Sequence, residues 1–548
     1  MPVVSEIRGV KDPYAQASAK RWKTHNAAKL DQQISQADVV IIGTGAGGGT
    51  SAEILTQAGL KVLMIEEGPL KSTNDFIMDE SQAYHDLYQE SAGRMTKDGG
   101  ISILQGRCVG GTTVVNWTSS FRTPEQTLTH WQETFALKGC SPEEMAPWFS
   151  RMEKRLNIAP WLLPPNANNT TLSEGCEKLG LQWKTIPRNV SACWNLGYCG
   201  MGCPTNAKQS MLVTTIPSAL EQGAELLYSA RAERLIIEGK KVIGVACTAL
   251  DEHYQPTGKT IMVKAPHVIM ACGGINGPAL LLRSNAPDPQ KRIGKRTFLH
   301  PVAFSFAQFK KNIDPFYGAP QSIYCDEFQW PNGAKGPMGF KLEVPPLHPG
   351  FTSVLLMGHG QQHVDDIKKL PNTSAMIALM RDGFDELSEG ADIELSDDGS
   401  AIIDYPLNDY LWEGIKRAHL VMAEVQFAAG AERVRAAHQD GRWFNSFAEF
   451  KQAQESIPYQ VNTALVGSAH VMGGLPMGED KSVCLLDSHC KYHYLDNLYV
   501  FDGSVFPTSV GANPQLSIYA MACKQATALA KKLRPEAFDG NKTETESV

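Results

Sequence analysis

The clearest pattern of apolar and polar positions lies in residues 37–67, which read ADVVIIGTGAGGGTSAEILTQAGLKVLMIEE. Two runs of four apolar residues, Val39–Ile42 and Val62–Ile65, flank a stretch of helical character that ends at Ala58. Short, wholly apolar runs next to glycine are typical of strands buried on both faces of a parallel sheet. The pattern therefore predicts a strand–helix–strand unit.

A second unit of the same kind follows later in the chain. Residues 268–272 form an apolar run that ends at Gly273-Gly274, and residues 278–283 have helical character. Between the two units, residues 224–229, 231–238 and 242–248 alternate in the way that predicts short strands. The sequence thus predicts two strand-to-helix turns, and such turns are where α/β proteins bind nucleotides.

The middle of the chain changes character. Residues 353–357, 375–380 and 401–405 alternate between apolar and polar positions and predict strands, whereas residues 411–428 and 514–532 predict helices. Residues 162–171, LLPPNANNTT, are rich in proline and asparagine and predict a loop. The mixture of patterns predicts an antiparallel sheet with helices in the middle of the chain.

These patterns predict an α/β fold, α+β overall, in which a Rossmann-like domain is discontinuous. The predicted segments are 36–160, 206–302 and 460–535 for the dinucleotide-binding domain, 303–459 for an inserted substrate domain, and 161–205 for a Cys/Gly-rich connecting loop.

The turn after the first predicted strand has the G-x-G-x-x-G spacing of dinucleotide-binding proteins. Gly43 permits the tight turn, Gly45 lets a pyrophosphate approach the backbone, and Gly48 lets the helix pack closely on the strand. Glu66 follows the glycines by about 20 residues, where a carboxylate accepts hydrogen bonds from ribose hydroxyls. Strand, glycines, helix, strand and acid occur in order, so the segment predicts an adenine dinucleotide site.

Composition and charge exclude several functional classes. The chain has 548 residues and a formal net charge of −7, without a long basic run, which argues against a nucleic-acid partner. The first residues are polar and lack the apolar core of a secretion signal, and there is no apolar run long enough to span a membrane. We expect a cytoplasmic protein, and peripheral contact with a membrane stays an open alternative.

Four further motifs are each similar to an element of the glucose–methanol–choline (GMC) flavoprotein oxidoreductases. The second of them has Gly277 in place of the usual hydroxyl residue, and the third lacks the N-L-x-D core of the family pattern. The motifs are residues 106–116 (GRCVGGTTVVN), residues 274–282 (GINGPALLL), Ile293-Gly294 with His300-Pro301, and residues 470–474 (HVMGG) with 502–514 (DGSVFPTSVGANP). Within the family, the chain most resembles the branch of long-chain alcohol oxidases and, in part, cholesterol oxidases.

The resemblance implies FAD, bound without a covalent link, as the cofactor. By position in the family motifs, further residues are expected to contact FAD, and they are Gly106, Arg107, Gly110, Gly111, Asn116, Ala232, Gly273, Asp502 and Gly503. Gln515 joins them because Pro514 begins a helix whose first N–H groups point toward the flavin.

The resemblance also places His470 as the catalytic histidine and Asn513 as its partner. Oxidation of an alcohol moves a hydride from carbon to flavin N5 and a proton from oxygen to a base. Neutral imidazole is the side chain whose pKa suits that proton near neutrality, and Asn513 can orient the oxygen without acting as a base. Phe351, Met357, Met376 and Met380 permit an apolar pocket, so we expect a hydrophobic primary or secondary alcohol as substrate.

Three cysteines leave an alternative open. Cys193, Cys199 and Cys203 are spaced C-x5-C-x3-C, which resembles the set that holds an iron–sulfur cluster in FAD-dependent sugar dehydrogenases of the same family. The alternative function is therefore an FAD and iron–sulfur sugar or polyol dehydrogenase. A second alternative is an FAD-containing lyase without net redox chemistry. The electron acceptor, whether oxygen, a quinone or a cytochrome, is not encoded in a motif.

Overall fold

The computed structural model describes residues 9–30 and 36–538. Its helices in these residues are α1 Ala46–Gln57, α2 Glu80–Leu87, α3 Glu125–Phe135, α4 Pro142–Arg155, α5 Ala167–Leu179, α6 Thr215–Glu221, α7 Gly273–Arg283, α8 Pro349–Leu355, α9 Gly360–Lys368, α10 Asp409–Ala428, α11 Phe447–Gln454 and α12 Gln515–Leu533. No helix among them is both long and apolar enough to cross a membrane.

The strands of the same residues are short for the most part. They are β1 Lys23–Asn26, β2 Val39–Ile42, β3 Val62–Ile65, β4 Ile101–Ile103, β5 Ile158–Pro160, β6 Lys184–Thr185, β7 Pro187–Asn189, β8 Glu225–Tyr228, β9 Ala230–Glu238, β10 Lys241–Leu250, β11 Pro256–Val263, β12 His267–Met270, β13 Thr297–Leu299, β14 Val302–Gln308, β15 Ile323–Cys325, β16 Pro331–Ala334, β17 Phe340–Glu343, β18 Thr373–Met380, β19 Asp392–Leu395, β20 Ala401–Asp404, β21 Arg433–Ala436, β22 Val466–Ser468, β23 Val471–Gly473 and β24 Leu498–Val500.

The first large sheet is parallel and has the strand order β1-β8-β3-β2-β12-β24. Every residue of β2 and β3 is buried. Helix α1 packs on both strands, and α12 packs on α1. The predicted strand–helix–strand unit is confirmed as β2-α1-β3. Since the strands are parallel, the turns that follow β2, β12 and β24 meet at one edge of the sheet.

The second large sheet is mixed and has the order β4-β22-β14-β18-β17-β15-β6, with β21 also paired to β14. Its pairs are antiparallel except for β22 with β4. Helix α10 packs on β14 and β18, which gives the predicted sheet with helices. The sheet also takes β4 and β22 from the segments predicted for the dinucleotide-binding domain, so the predicted domain limits stay a prediction.

Two local predictions are wrong. Residues 353–357 were expected to be a strand, but helix α8 covers 349–355: Pro349 stands in its first turn, and the Glu80 carboxylate accepts hydrogen bonds from the N–H groups of Gly350 and Phe351. The predicted loop 162–171 is helical from Ala167, because the Asn166 side chain caps helix α5.

Candidate active site

One large cavity of about 1610 Å³ runs from the carboxyl edge of the parallel sheet to the mixed sheet. Most of the residues predicted from sequence line it, namely Gly43, Gly45, Glu66, Gly106, Arg107, Gly111, Asn116, Ala232, Gly273, His470, Asp502, Gly503, Asn513 and Gln515. Gly48 and Gly110 lie behind this lining. The structure thus brings residues that are distant in sequence to a single site.

The turn between β2 and α1 shows why glycine stands at its predicted positions. Gly43 has a φ of +99°, and a Cβ there would lie 2.3 Å from the carbonyl oxygen of Ala271. A Cβ on Gly48 would lie 1.9 Å from the carbonyl oxygen of Gly43, so only glycine lets α1 sit this close to the turn. A Cβ on Gly45 would meet nothing nearer than 4.0 Å. The N-terminus of α1 therefore faces open space in the cavity, where its N–H groups and dipole favour an anion.

Glu66 is held by its neighbours at the end of β3. Its Oε2 accepts hydrogen bonds from the N–H of Thr44 at 3.0 Å and from the Thr44 hydroxyl at 2.7 Å, and its Oε1 accepts one from the N–H of Gly68 at 3.0 Å. Burial raises the pKa of the Glu66 carboxyl against the opposing effect of these hydrogen bonds. Glu66 therefore ties the glycine turn to β3 and still lines the cavity.

Arg107 lines the same cavity as Glu66. Its guanidinium carbon lies 3.6 Å from the centre of the Tyr254 ring, and its Nη1 lies 3.9 Å from Glu67 Oε1. Arg107 Nε is buried and has no hydrogen-bond partner in the described residues. The nearby Ala232 accepts a hydrogen bond from Arg283 Nη2 through its carbonyl oxygen at 3.2 Å.

Asp502 connects the turns after β12 and β24. Its Oδ2 accepts a hydrogen bond from the N–H of Gly273 at 2.8 Å, and its Oδ1 accepts one from the N–H of Ser504 at 2.8 Å. Burial raises the pKa of the Asp502 carboxyl. Gly503, the next residue, would place a Cβ 3.1 Å from the carbonyl oxygen of Val471, close to His470.

Gln515 stands at the start of helix α12, directly after Pro514. Asn116 Nδ2 donates to Gln515 Oε1 at 2.8 Å, and Gln515 Nε2 donates to the carbonyl oxygen of Ser119 at 2.8 Å. Tyr519 also donates to Gln515 Oε1, at 3.0 Å. Two residues that sequence placed near the flavin, Asn116 and Gln515, are therefore in direct contact.

His470 pairs with a second histidine. Its Nδ1 lies 3.0 Å from His300 Nδ1, and the N–H of Gly511 donates to His300 Nε2 at 3.2 Å. Because a backbone N–H only donates, a neutral His300 carries its proton on Nδ1 and donates it to His470. His470 then carries its own proton on Nε2, for which the structure shows no partner within residues 9–30 and 36–538.

The electrostatics at His470 favour its neutral form. Burial and then the charge of Lys341 lower the pKa of His470 to about 3. Burial, together with His470 and Lys341, also lowers the pKa of His300 well below its usual range. Both rings are therefore uncharged at neutral pH.

Asn513 is held between two buried charges on strand β17. Lys341 Nζ donates to Asn513 Oδ1 at 2.7 Å, and Asn513 Nδ2 donates to Glu343 Oε2 at 3.3 Å. Lys341 and Glu343 also form an ion pair, with Nζ 2.8 Å from Oε1, and their side chains are 3% and 0% exposed. Burial lowers the pKa of Lys341 despite this pair.

The far end of the cavity is apolar. Val302 and Phe304 on β14 stand opposite Leu379 and Ile377 on β18, and all four line the cavity on one face of the mixed sheet. Further lining side chains in this part are Phe351, Val354, Leu355 and Leu465. These side chains offer contacts for hydrocarbon beyond His470 and Asn513, beside polar lining residues such as Glu80, Gln321 and His348.

Cys193, Cys199 and Cys203, which left the iron–sulfur alternative open, form no metal site in the described residues. Cys193 Sγ accepts from the N–H of Asn195, Cys199 Sγ contacts Arg188 and Cys203 Sγ contacts Thr205. None of them lines the cavity, and the described part of the chain contains no group of three or more His, Cys, Asp or Glu side chains placed to hold a metal ion. The described structure therefore does not support an iron–sulfur cluster, because each of the three thiols contacts a different protein group.

Sequence models of the GMC oxidoreductase family match residues 84–302 and 392–522. The chain belongs to the GMC oxidoreductase family. Long-chain-alcohol oxidase FAO4A of Arabidopsis thaliana is 30% identical over 89% of this chain and 67% of its own length, and FAO4B is 29% identical over 88% and 66%. The chain thus spans about two thirds of these relatives.

A solved structure with a similar fold is that of a formate oxidase variant of Aspergillus oryzae. It has a TM-score of 0.71 at 15% identity and covers 92% of this chain and 100% of the other. The predicted fold class and the predicted oxidoreductase family are therefore confirmed.

FAD is the cofactor that this family implies, and the cavity fits it. The open space at Gly45, the free N-terminus of α1 and the unpartnered Nε of Arg107 suit an anionic, elongated ligand. Gly273, where a Cβ would meet nothing nearer than 3.9 Å, opens the second turn in the same way.

Sequence reasoning missed several residues of the site. Thr44 lies inside the glycine turn, and its hydroxyl is also the acceptor for the N–H of Gly110 at 2.9 Å. The roles of Tyr254 and His300 depend on contacts between segments that no local pattern reveals. Lys341 and Glu343 did leave a signal: the strand FKLE carries two opposite charges on one face, which is unusual for a buried strand.

Proposed function

We propose that this protein oxidises the hydroxyl group of an apolar, long-chain alcohol to an aldehyde or ketone, with FAD as the hydride acceptor. The observation that best supports this is the continuity of the cavity. Residues expected to hold FAD line one end, His470 and Asn513 line the middle, and apolar side chains of the mixed sheet line the other end. The long-chain-alcohol oxidases FAO4A and FAO4B among the relatives agree with this choice of substrate.

The residues of the first end are proposed to bind FAD without a covalent bond. The α1 N-terminus with Gly43 and Gly45 would take the pyrophosphate, Glu66 the ribose and Ala232 the adenine. The residues proposed for the remaining contacts are Gly106, Arg107, Gly111, Asn116, Gly273, Asp502, Gly503 and Gln515. Gly48 and Gly110 lie behind the lining and are proposed to shape the binding turns without contacting FAD. Bound FAD supplies N5 as the acceptor for the hydride that leaves the alcohol carbon.

His470 and Asn513 are proposed to hold the alcohol oxygen between them. Asn513 uses one Nδ2 hydrogen for Glu343, so its second hydrogen is free to donate to that oxygen. The apolar lining excludes water and orients the hydrocarbon chain, which fixes the carbon that loses the hydride.

The role of His470 as the base stays a prediction, because the structure sets a condition on it. While Gly511 donates to His300, His470 carries its proton on Nε2 and can only donate to the alcohol oxygen. To accept a proton at Nε2, His470 must hold its own proton on Nδ1, and His300 must then release Gly511. The two forms predict different effects of replacing His470 by glutamine, which can donate but cannot act as a base.

The test is an anaerobic absorbance spectrum of the purified holoenzyme, with one aliquot titrated with decanol and another with glucose, each then exposed to air. We expect decanol to bleach the flavin bands and glucose to leave them unchanged. The rate of recovery in air separates an oxidase from a dehydrogenase. Acid precipitation of the same sample should release FAD into the supernatant, as expected for non-covalent binding.

Other outcomes would contradict the proposal. Bleaching by glucose alone would favour a sugar dehydrogenase. A flavin that no alcohol bleaches would favour a lyase without net redox chemistry.

A further inference from the structure

We propose that Lys341 and Glu343 are positioning residues that hold the Asn513 amide in the one orientation from which it donates to the alcohol oxygen. This inference rests on the proposed function and adds to it two charges that do not line the cavity. It follows from the geometry of strand β17 and from the donor and acceptor chemistry of the three side chains.

Strand β17 places the two charges behind the catalytic end of the cavity. Lys341 and Glu343 are two residues apart, so their side chains leave the same face of the mixed sheet. Their partners across the neighbouring strand are Leu379 and Ile377, which line the apolar part of the cavity from that face. The charges are therefore on the cavity side of the sheet, although Asn513 stands between them and the open space.

The two charges determine which end of the Asn513 amide is which. An ammonium group has only donors, so the atom 2.7 Å from Lys341 Nζ has to be the oxygen, Oδ1. An ionised carboxylate has only acceptors, so the atom 3.3 Å from Glu343 Oε2 has to be the nitrogen, Nδ2. A turned-over amide would bring oxygen to carboxylate and nitrogen to ammonium. The pair thus selects one orientation.

That orientation matters for an alcohol. With Nδ2 fixed, its second hydrogen remains available, and a developing negative charge on the alcohol oxygen is stabilised by a donor. With the amide turned over, Oδ1 would repel the same oxygen. Asn513 cannot make this choice alone, because its two ends have the same shape.

A contribution to folding stability explains the Lys341–Glu343 ion pair less well than its effect on Asn513 does. Replacing a buried ion pair by apolar residues is often neutral or stabilising, whereas removing one partner leaves an unpaired buried charge. Lys341 also lies 3.6 Å from the centre of the Phe121 ring, which holds the ammonium in place from another side. The pair is therefore better explained by the orientation that it imposes on Asn513.

The experiment compares Lys341→Met, Glu343→Leu and the double variant in the holoenzyme, by thermal unfolding and by the rate of anaerobic flavin reduction with decanol. The single variants should lose both stability and rate, because each leaves a buried charge unpaired. The double variant should regain a wild-type melting temperature, yet flavin reduction should stay about 10- to 100-fold slower because the amide is no longer fixed. A double variant that reduces at the wild-type rate would overturn the inference.

Two controls separate this role from a general structural one. In an Asn513→Ala background, the double substitution should cause no further loss of rate, and an additive loss would show that the pair does not act through Asn513. The matched pair is Arg155 and Glu53, which form an ion pair at 2.6 Å between α4 and α1 away from the cavity. The variant Arg155→Met/Glu53→Leu should keep the wild-type rate of reduction. A wild-type enzyme that decanol does not reduce would instead refute the proposed function.

Discussion

The two ends of the cavity differ in how far they rely on the backbone and how far on side chains. At the end proposed to hold FAD, glycines in the turns after β2, β12 and β24 leave the backbone open to the cavity, beside side chains such as Glu66 and Arg107. At the catalytic end they are side chains, His470 and Asn513, each held by partners from other segments. A backbone site depends on how the chain turns locally, whereas a side-chain site depends on what packs behind it.

This difference has a consequence for mutations. A backbone site fails when a substitution fills space, as a Cβ at Gly43 or Gly48 would. A side-chain site fails when a hydrogen-bond partner is lost, even if that partner never touches the substrate. The following predictions address each end in turn, beginning with the largest expected effect.

His470 tests the catalytic end. His470→Ala should retain FAD but slow flavin reduction by decanol by at least about 10²-fold, the typical contribution of a positioned acid or base. His470→Gln supplies a donor in place of Nε2–H but no base. If His470 only donates, the Gln variant should reduce markedly faster than the Ala variant. Equal losses would favour the base, and near-normal reduction in the Ala variant would exclude both roles.

Glu66 tests the FAD end. Glu66→Ala removes the acceptor for two N–H groups and the Thr44 hydroxyl, and should weaken FAD binding by roughly 10- to 100-fold, as expected for lost charge-assisted hydrogen bonds. Equilibrium dialysis of FAD against the apoprotein measures this. Glu66→Gln is the matched control, since it keeps an acceptor for Thr44 and should lose less. Undiminished FAD content in the Ala variant would contradict the assignment of Glu66.

The pH dependence of stability gives a smaller effect at the catalytic end. Burial and the Lys341 charge lower the pKa of His470 to about 3, so the folded protein keeps this histidine neutral. The unfolded chain takes up the proton as the pH falls through about 6.5, and the stability contributed by the neutral ring is then lost. Between pH 6.5 and 5.5 this loss amounts to at most about 1.4 kcal/mol for one histidine.

The measurement is the free energy of unfolding of wild type and His470→Gln at both pH values. The Gln variant should lose less stability than wild type on acidification. His419, whose pKa is also lowered to about 3 by burial, lies outside the cavity and offers the comparison with a structural histidine. Equal pH dependence in wild type and the His470 variant would contradict the neutral state of His470.

Sequence could predict the β2-α1-β3 unit because its elements are local, whereas the contacts of its turn with FAD stay a prediction. The strand, turn and helix around Gly43 lie within about 30 residues, and their apolar periodicity reflects burial on both faces of one sheet. His470 and Asn513 could be proposed as catalytic residues from their positions in longer family motifs. Thr44 was missed, although it lies in the glycine turn, because its contacts with Glu66 and Gly110 join three segments.

The residues that hold His470 and Asn513 in place could not be predicted from local sequence patterns. His300 comes from one segment and the pair Lys341 and Glu343 from another, and only the pairing of β17 with its neighbours brings the charges behind Asn513. Helix α8 was mistaken for a strand for a related reason: Phe351 and Leu355 are apolar because they line the cavity and pack against residues of β14 and β18. What stabilises its first turn is Glu80, a residue some 270 positions away.

The turns after β2, β12 and β24 also link cofactor content to folding. A ligand that contacts all of them binds the folded chain and not the unfolded one, so each tenfold excess of free FAD over its dissociation constant adds about 1.4 kcal/mol to the free energy of unfolding. The melting temperature of this GMC oxidoreductase is then a property of its solution as well as of its sequence. In a cell with little free FAD, more of the protein would be the less stable apoprotein, which proteases degrade faster.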